Sequence, residues 1–231
     1  NTEYVRKHIE NYFKNIFSVK SNPSSENKVI NDKKALKNND PKLNILKNKF
    51  QLEDIQNCIN HMENDKSCGI DNIFSEQLKL LPSKCVDFIL FYYNFILKYN
   101  IELPIFPFKI SYIKLIHKKG NVNMIENYRP ISLISNLSKL LSLLILNKFN
   151  KINHSFLSSN QTSFQSFLNC NINLTKIVSL LEISKLKKEN LLLSYLDIKK
   201  AYDTVPFHSI KFTLQSLNIP SNLINLIMNT L

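Results

Sequence analysis

A mixed α/β fold is what this sequence predicts, and three observations predict it. Apolar residues recur at helical spacing along most of the 231 residues, the period changes to strand-like alternation at Ile110–His117, and a second apolar run, Leu191–Leu196, ends abruptly on Asp197. No internal repeat is visible. At 44% hydrophobic residues the chain can build a real core, enough for one large or two small domains.

The elements follow in order. Thr2–Phe17 puts Val5, Ile9, Tyr12, Phe13 and Ile16 on one helical face with Lys and Glu opposite, so 1–20 reads as an N-terminal packing helix. From Ser21 to about Lys49 the chain turns polar, rich in Asn, Lys and Ser and broken by Pro23 and Pro41, which predicts a mobile linker over 21–50. Leu52, Ile55, Ile59 and Met62 form a second helical stripe, ended by the Asn64–Gly69 breaker cluster. Ser83 suits an N-cap for a third helix carrying Phe88, Ile89, Tyr92, Phe95 and Ile96. Ile110–His117 then alternates as a strand, Lys118-Lys119-Gly120-Asn121 turns the chain, and a returning strand carries Arg129. Ser135 can cap an apolar helix through Leu137–Phe149 that must be buried on most sides. Ile172, Ile177, Leu180 and Leu181 give Asn171–Leu186 a helical period, and Lys187–Asn190 turns into a strand ending at Asp197. Phe207, Ile210, Leu214 and Leu217 predict a last helix, stopped by Pro220.

Charge and cysteine usage narrow the function. Thirty Lys+Arg against eighteen Asp+Glu leave a formal net charge of +12. That favours a polyanionic partner through counterion release, nucleic acid first. Cys58, Cys68, Cys85 and Cys170 lie far apart with no CxxC or Cys/His cluster, which argues against a zinc site or disulfide framework and fits a reducing, intracellular compartment. The uninterrupted apolar segments are much shorter than the roughly 18 residues of a membrane helix, so no membrane partner is expected. No signal peptide opens the chain, and its start at Asn1 without methionine suggests a piece of a longer product.

Two constellations carry chemistry. On a strand Leu191–Asp197, Leu193, Tyr195 and Asp197 share one face, so Asp197 emerges at the strand tip beside the Ile198 carbonyl. A carboxylate ending a buried strand is costly without a cationic partner, and carboxylate plus carbonyl is a hard oxygen set of the kind Mg2+ takes together with substrate phosphates. An isolated Asp opening a turn would read as simply solvated. The second constellation is the hairpin. Lys118 or Lys119 near its tip and Arg129 on the returning strand put cations over one face, as a triphosphate requires; Arg supplies a bidentate fork and Lys a compact charge.

The string Leu196–Pro206, LDIKKAYDTVP, closely resembles the first catalytic motif of reverse transcriptases, particularly those of non-long-terminal-repeat (LINE-type) retrotransposons. Asn127–Leu133, NYRPISL, and the basic hairpin look like the fingers motifs of that family. Lys66–Ile73 is similar to its K-x-x-G-x-D-x-I segment, and the chain's two glycines, Gly69 and Gly120, fall at family glycine positions. The resemblance implies the following roles. Asp197 is the first metal-binding aspartate, Tyr202 the steric gate occupying the space of a ribonucleotide 2′-hydroxyl, and Lys118 and Arg129 bind the incoming nucleotide's phosphates. Lys119 and Gln161 are candidate template contacts; Asp203 belongs to the pattern without being a ligand, and Lys66–Ile73 is assigned to template or fingers packing.

The resemblance runs from about Leu52 to Leu231 and implies an α+β, right-hand polymerase fold. Fingers would span 51–190 and the first part of the palm 191–231, truncated before the second catalytic motif. The implied partners are an RNA template, a DNA primer and dNTPs. Two departures stand out. Gln161-Thr162-Ser163-Phe164-Gln165 replaces the family's Gln-x-Gly-Phe-Arg, and nothing after Asp203 resembles the Tyr-x-Asp-Asp motif, so this chain alone is expected not to polymerise. Two other functions stay open: a non-catalytic RNA-binding remnant, and a splicing factor like the group II intron maturases.

Overall fold

The central helix α6 (Asn136–Lys151) begins at a cap that the sequence spells out. Ser135 sits in extended backbone and its Oγ accepts from the Ser138 N–H at 3.0 Å, satisfying one of the helix's orphan donors. From there Leu140, Leu141, Leu144 and Ile145 run into the core, while Leu146 on the opposite side stays exposed. A computed structural model describes residues 2–17, 41–152, 157–158, 160–165, 168–198 and 205–231. Its described elements, besides α6, are helices α1 (Thr2–Phe17), α2 (Pro41–Lys47), α3 (Leu52–His61), α4 (Ser75–Lys79) and α5 (Ser83–Tyr99), and strands β1 (Tyr112–His117) and β2 (Tyr128–Leu133). Helices α7 (Cys170–Lys187), α8 (Phe207–Ser216) and α9 (Ser221–Thr230) follow.

The core is helix on helix. α3 packs on α6 and α5, α2 on α6, and α9 on α5, enclosing Ile55, Tyr93, Ile96, Leu144, Leu223 and Leu226. Each such side chain contributes roughly 1.5–3 kcal/mol of burial. Polar groups inside are matched. Tyr93 Oη donates to the Leu137 carbonyl at 2.9 Å, and Asn94 brackets Phe50, accepting from its N–H at 2.7 Å and donating to its carbonyl at 3.0 Å. Lys148, 4% exposed, donates to the carbonyls of Ile45 and Asn48 at the C-terminal end of α2, with Phe50's ring 5.0 Å beneath the ammonium. Burial lowers the Lys148 pKa to about 8. Lys151 reaches Asp54 of α3 at 2.5 Å.

Three expectations change, and α7 keeps its predicted span. The tail of the polar stretch, Pro41–Lys47, is helix, because Leu43 and Leu46 are enough to anchor it in the core, with Phe50 just beyond; residues 18–40 lie outside the described residues. α5 buries Val86, Tyr93, Ile96 and Leu97 and leaves Phe88 and Phe95 exposed. Its segment is apolar nearly all round, so periodicity alone did not choose the face, and Pro82, not Ser83, holds the N-cap position. α7 buries none of its residues. Finally, Leu191–Ile198 is not a strand. A strand's N–H and C=O groups need a neighbour, and among the described residues the sheet consists of β1 and β2 alone.

Candidate functional site

The hairpin is built by pairing and by its turn. β1 and β2 are antiparallel with Leu115 opposite Pro130, Ile116 opposite Arg129 and His117 opposite Tyr128. The turn closes with Lys118 N–H donating to the Asn127 carbonyl at 2.8 Å. Gly120 sits at φ +91°, and a Cβ there would meet Asn127 Nδ2 at 2.8 Å, so glycine serves both conformation and space. Asn127 Nδ2 donates to the Asn121 carbonyl and Tyr128 Oη to the Val122 carbonyl, each at 2.9 Å, pinning the loop from inside.

Directly opposed residues in an antiparallel pair share a face. One face therefore carries Tyr112, Lys114, Ile116, Arg129, Ile131 and Leu133, and the alternation continues to Lys118 one step past the end of β1. The other face carries His117 and Tyr128, whose rings meet edge-on at 5.2 Å. Lys114, Lys118, Lys119 and Arg129 are all exposed, and among the described residues none of them is paired with a carboxylate. Lys118 and Arg129 are thus gathered on one unneutralised cationic face. Lys114 was missed by sequence reasoning; the signal was available in the parity Lys114, Ile116, Lys118, once Arg129 was put in register.

The carboxylate lies on a separate segment. Asp197 stands in the exposed, unpaired stretch 191–198 with no hydrogen bond or ion pair to another described residue, and Ile198 beside it is exposed too. Tyr202 and Asp203 lie outside the described residues. Among the described residues no group of three His, Cys, Asp or Glu side chains gathers to hold a metal.

Gln161 is exposed, its Nε2 donating to the Ser163 carbonyl at 3.3 Å, and Gln165 donates back to the Gln161 carbonyl. The left-handed residue of this turn is Phe164, at φ 60°, rather than Ser163. The Lys66–Ile73 segment docks on the start of α6. A Cβ on Gly69 would lie 2.5 Å from Ile134 C and Ser135 N, and Asn136 Nδ2 donates to the Ile73 carbonyl at 2.7 Å. Gly69 answers to close backbone approach, not to a turn conformation. Its neighbour Asp71 keeps a buried Oδ2 with no partner among the described residues. Glu76 accepts from the Asp65 N–H at 2.6 Å, which holds its carboxyl below the usual range.

A family model for reverse transcriptase (RNA-dependent DNA polymerase) matches residues 116–231, which takes in Arg129, the cationic tip and Asp197. The chain belongs to the reverse transcriptase family. It is similar to a probable RNA-directed DNA polymerase from transposon BS of Drosophila melanogaster, 40% identical over 106 residues, 45% of this chain and 11% of that protein. It is also similar to the RNA-directed DNA polymerase from the mobile element jockey of the same fly, 32% identical over 100 residues, 42% of this chain and 10% of the relative. A probable polymerase from transposon X-element, again of Drosophila melanogaster, is 29% identical over 162 residues, 68% of this chain and 17% of that protein. The chain thus spans 10% to 17% of the length of these relatives. Together they place this chain with the LINE-type, non-long-terminal-repeat members of the family, as a fragment of such a protein. The described part is mostly helical with one two-stranded sheet, and no described helix is long and apolar enough to cross a membrane. Reverse transcriptases as a family act on nucleic acid template and primer with nucleotide substrates and generally use a divalent metal.

Proposed function

We propose that this chain forms the fingers and first part of the palm of a retrotransposon RNA-directed DNA polymerase, which adds dNTPs to a DNA primer 3′-hydroxyl on an RNA template. The observation that carries the reading is the shared face of the hairpin, where Arg129 and Lys118 stand exposed and unneutralised inside the region that matches the family. Arg129 grips one phosphate of the incoming nucleotide by two parallel N–H···O bonds, and Lys118 adds a point charge at the tip. Because both sit on a paired and pinned hairpin, their backbone positions are set before substrate arrives, and only the two exposed side chains are left to order on binding. Lys119 and Gln161, both exposed, are the candidate template contacts. Tyr202 selects deoxyribose by filling the space of a 2′-hydroxyl.

Asp197 and the Ile198 carbonyl are hard oxygen donors on an exposed segment, and their chemistry fits Mg2+. When bound, the metal of a two-metal displacement lowers the pKa of the attacking hydroxyl and neutralises charge on the leaving pyrophosphate. The four free cysteines suit a protein working in the reducing cell interior. The test is primer extension by the complete polymerase with and without Arg129→Ala. A KM for dNTP raised at least tenfold supports the reading, and an unchanged KM refutes the phosphate assignment. The 231-residue chain by itself should not extend a primer.

A further inference from the structure

The outer face of α5 carries an exposed aromatic ladder that the nucleotide site does not use. Phe91, Phe95 and Tyr99 follow one another at one-turn intervals; the Phe91 and Phe95 rings stack with centroids 5.9 Å apart and an interplanar angle of 26°, and Phe95 and Tyr99 lie 4.8 Å apart. Phe91 is 64% and Tyr99 55% exposed, although the same helix buries Tyr93 and Ile96 on its inner side. The three rings span about 12 Å of helix.

Cations bracket the ladder. Lys98 Nζ stands 4.8 Å over the Tyr99 ring, and Lys49 lines the same groove of about 480 Å³ as Phe91, Phe95 and Tyr99. Lys49 is held there by its neighbour, because both backbone groups of Phe50 are hydrogen-bonded to the side chain of Asn94, which lines the same groove. Asp87 is the carboxylate of the groove, so two ammoniums outweigh it. Rings at successive turns with flanking positive charge match a strand that offers flat π-faces joined by phosphates, in a chain of net charge +12.

We propose that this face of α5 is a binding site for single-stranded nucleic acid, with bases stacked on Phe91 and on Tyr99, whose ring face Lys98 vacates to meet a phosphate, and with a second phosphate against Lys49. The site is separate from the hairpin face and does not depend on the polymerase reading. A flat apolar patch for a protein partner would be the competing occupant, and the ring-to-leucine exchange separates the two.

The probe is a fluorescein-labelled oligouridine 12-mer, titrated into the 231-residue chain and followed by anisotropy, with an RNA duplex of equal length in parallel. The Phe91→Leu/Tyr99→Leu variant keeps an apolar surface and removes the stacking faces. It should bind the oligouridine at least tenfold more weakly, with duplex affinity unchanged and the far-UV circular dichroism of the parent. Lys49→Gln/Lys98→Gln should lower the slope of log K against log salt by about 1.4, near 0.7 per lost phosphate contact. Oligouridine affinity unchanged by the leucine exchange overturns the proposal, as does an equal loss for single strand and duplex. A parent chain that does not bind the oligouridine, whether or not it self-associates, overturns it as well. A polymerase that fails to extend primers while the ladder variant loses oligouridine binding would refute the function proposed above and leave this site standing.

Discussion

Gly69→Ala tests how tightly the Lys66–Ile73 segment is locked onto the central helix. The added Cβ would stand 2.5 Å from Ile134 C, 2.5 Å from Ser135 N and 2.6 Å from Ser135 Cα, all backbone atoms with no rotamer to yield. Ordinary carbon contacts lie near 3.5–4.0 Å, so loop and helix start must separate by about 1 Å. Overpacking of that kind costs about 1–3 kcal/mol. The displaced residue is also the α6 cap, whose Oγ bond to the Ser138 N–H is worth about 1 kcal/mol. The sum, about 2–4 kcal/mol, corresponds in a chain of this size to a Tm lowered by roughly 5–15 °C. Thermal and urea melts followed by circular dichroism read it directly. Ser135→Ala combined with Gly69→Ala should cost less than the two single effects added, since both act through one cap. A Gly69→Ala Tm within about 1 °C of the parent would refute the close approach.

Further tests address charge and chemistry. The folded-state pKa of Lys148, about 8, lies below its ordinary 10.5, so the unfolded chain binds more protons between those values and stability should rise with pH from 8 upward. Cys58, raised to about 11 by burial, acts in the opposite sense above pH 9; the difference between parent and Lys148→Met urea midpoints over pH 7.5–9 isolates the lysine, and a constant difference would contradict its burial as a charge. Asp197→Asn should abolish primer extension by the complete polymerase while moving stability by less than about 0.5 kcal/mol, because the side chain is exposed and unpartnered by other described residues. Tyr202→Ala in the same enzyme should admit ribonucleotides, read as a lower ratio of dNTP to NTP incorporation, and unchanged selectivity would sink the gate assignment.

Local signals were legible where one residue type has one physical use. Ser135 announced the α6 cap, and Gly120, flanked by alternating residues, announced the hairpin that gathers Lys118 and Arg129. What could not be read was anything decided by a partner far along the chain. α5 offers apolar residues on every side, and Tyr93 was drawn inward by the Leu137 carbonyl, 44 positions away. The helix at Pro41–Lys47 hid in a polar stretch because part of its C-terminal capping comes from Lys148, about 100 residues downstream. Lys114 was overlooked for a related reason: its parity with Lys118 is legible, but it joins Arg129 only through cross-strand register.

The same logic explains the largest disagreement. Leu191–Ile198 is apolar at both parities, the pattern of a strand buried on two faces, yet Leu192 is 91% and Leu196 97% exposed. A strand forms only when neighbours accept its backbone hydrogen bonds, and no described segment does so. The direction of Asp197 is tied to that pairing, because side-chain alternation is fixed only once the backbone is pleated. A strand paired with this stretch would do two things at once: bury the leucines and aim the carboxylate. The hairpin cations need no such help, since β1 and β2 complete each other within 22 residues, Tyr112 to Leu133. In this chain the cationic face is assembled locally, whereas the direction of Asp197, the proposed metal ligand, is left unset by any described strand pairing.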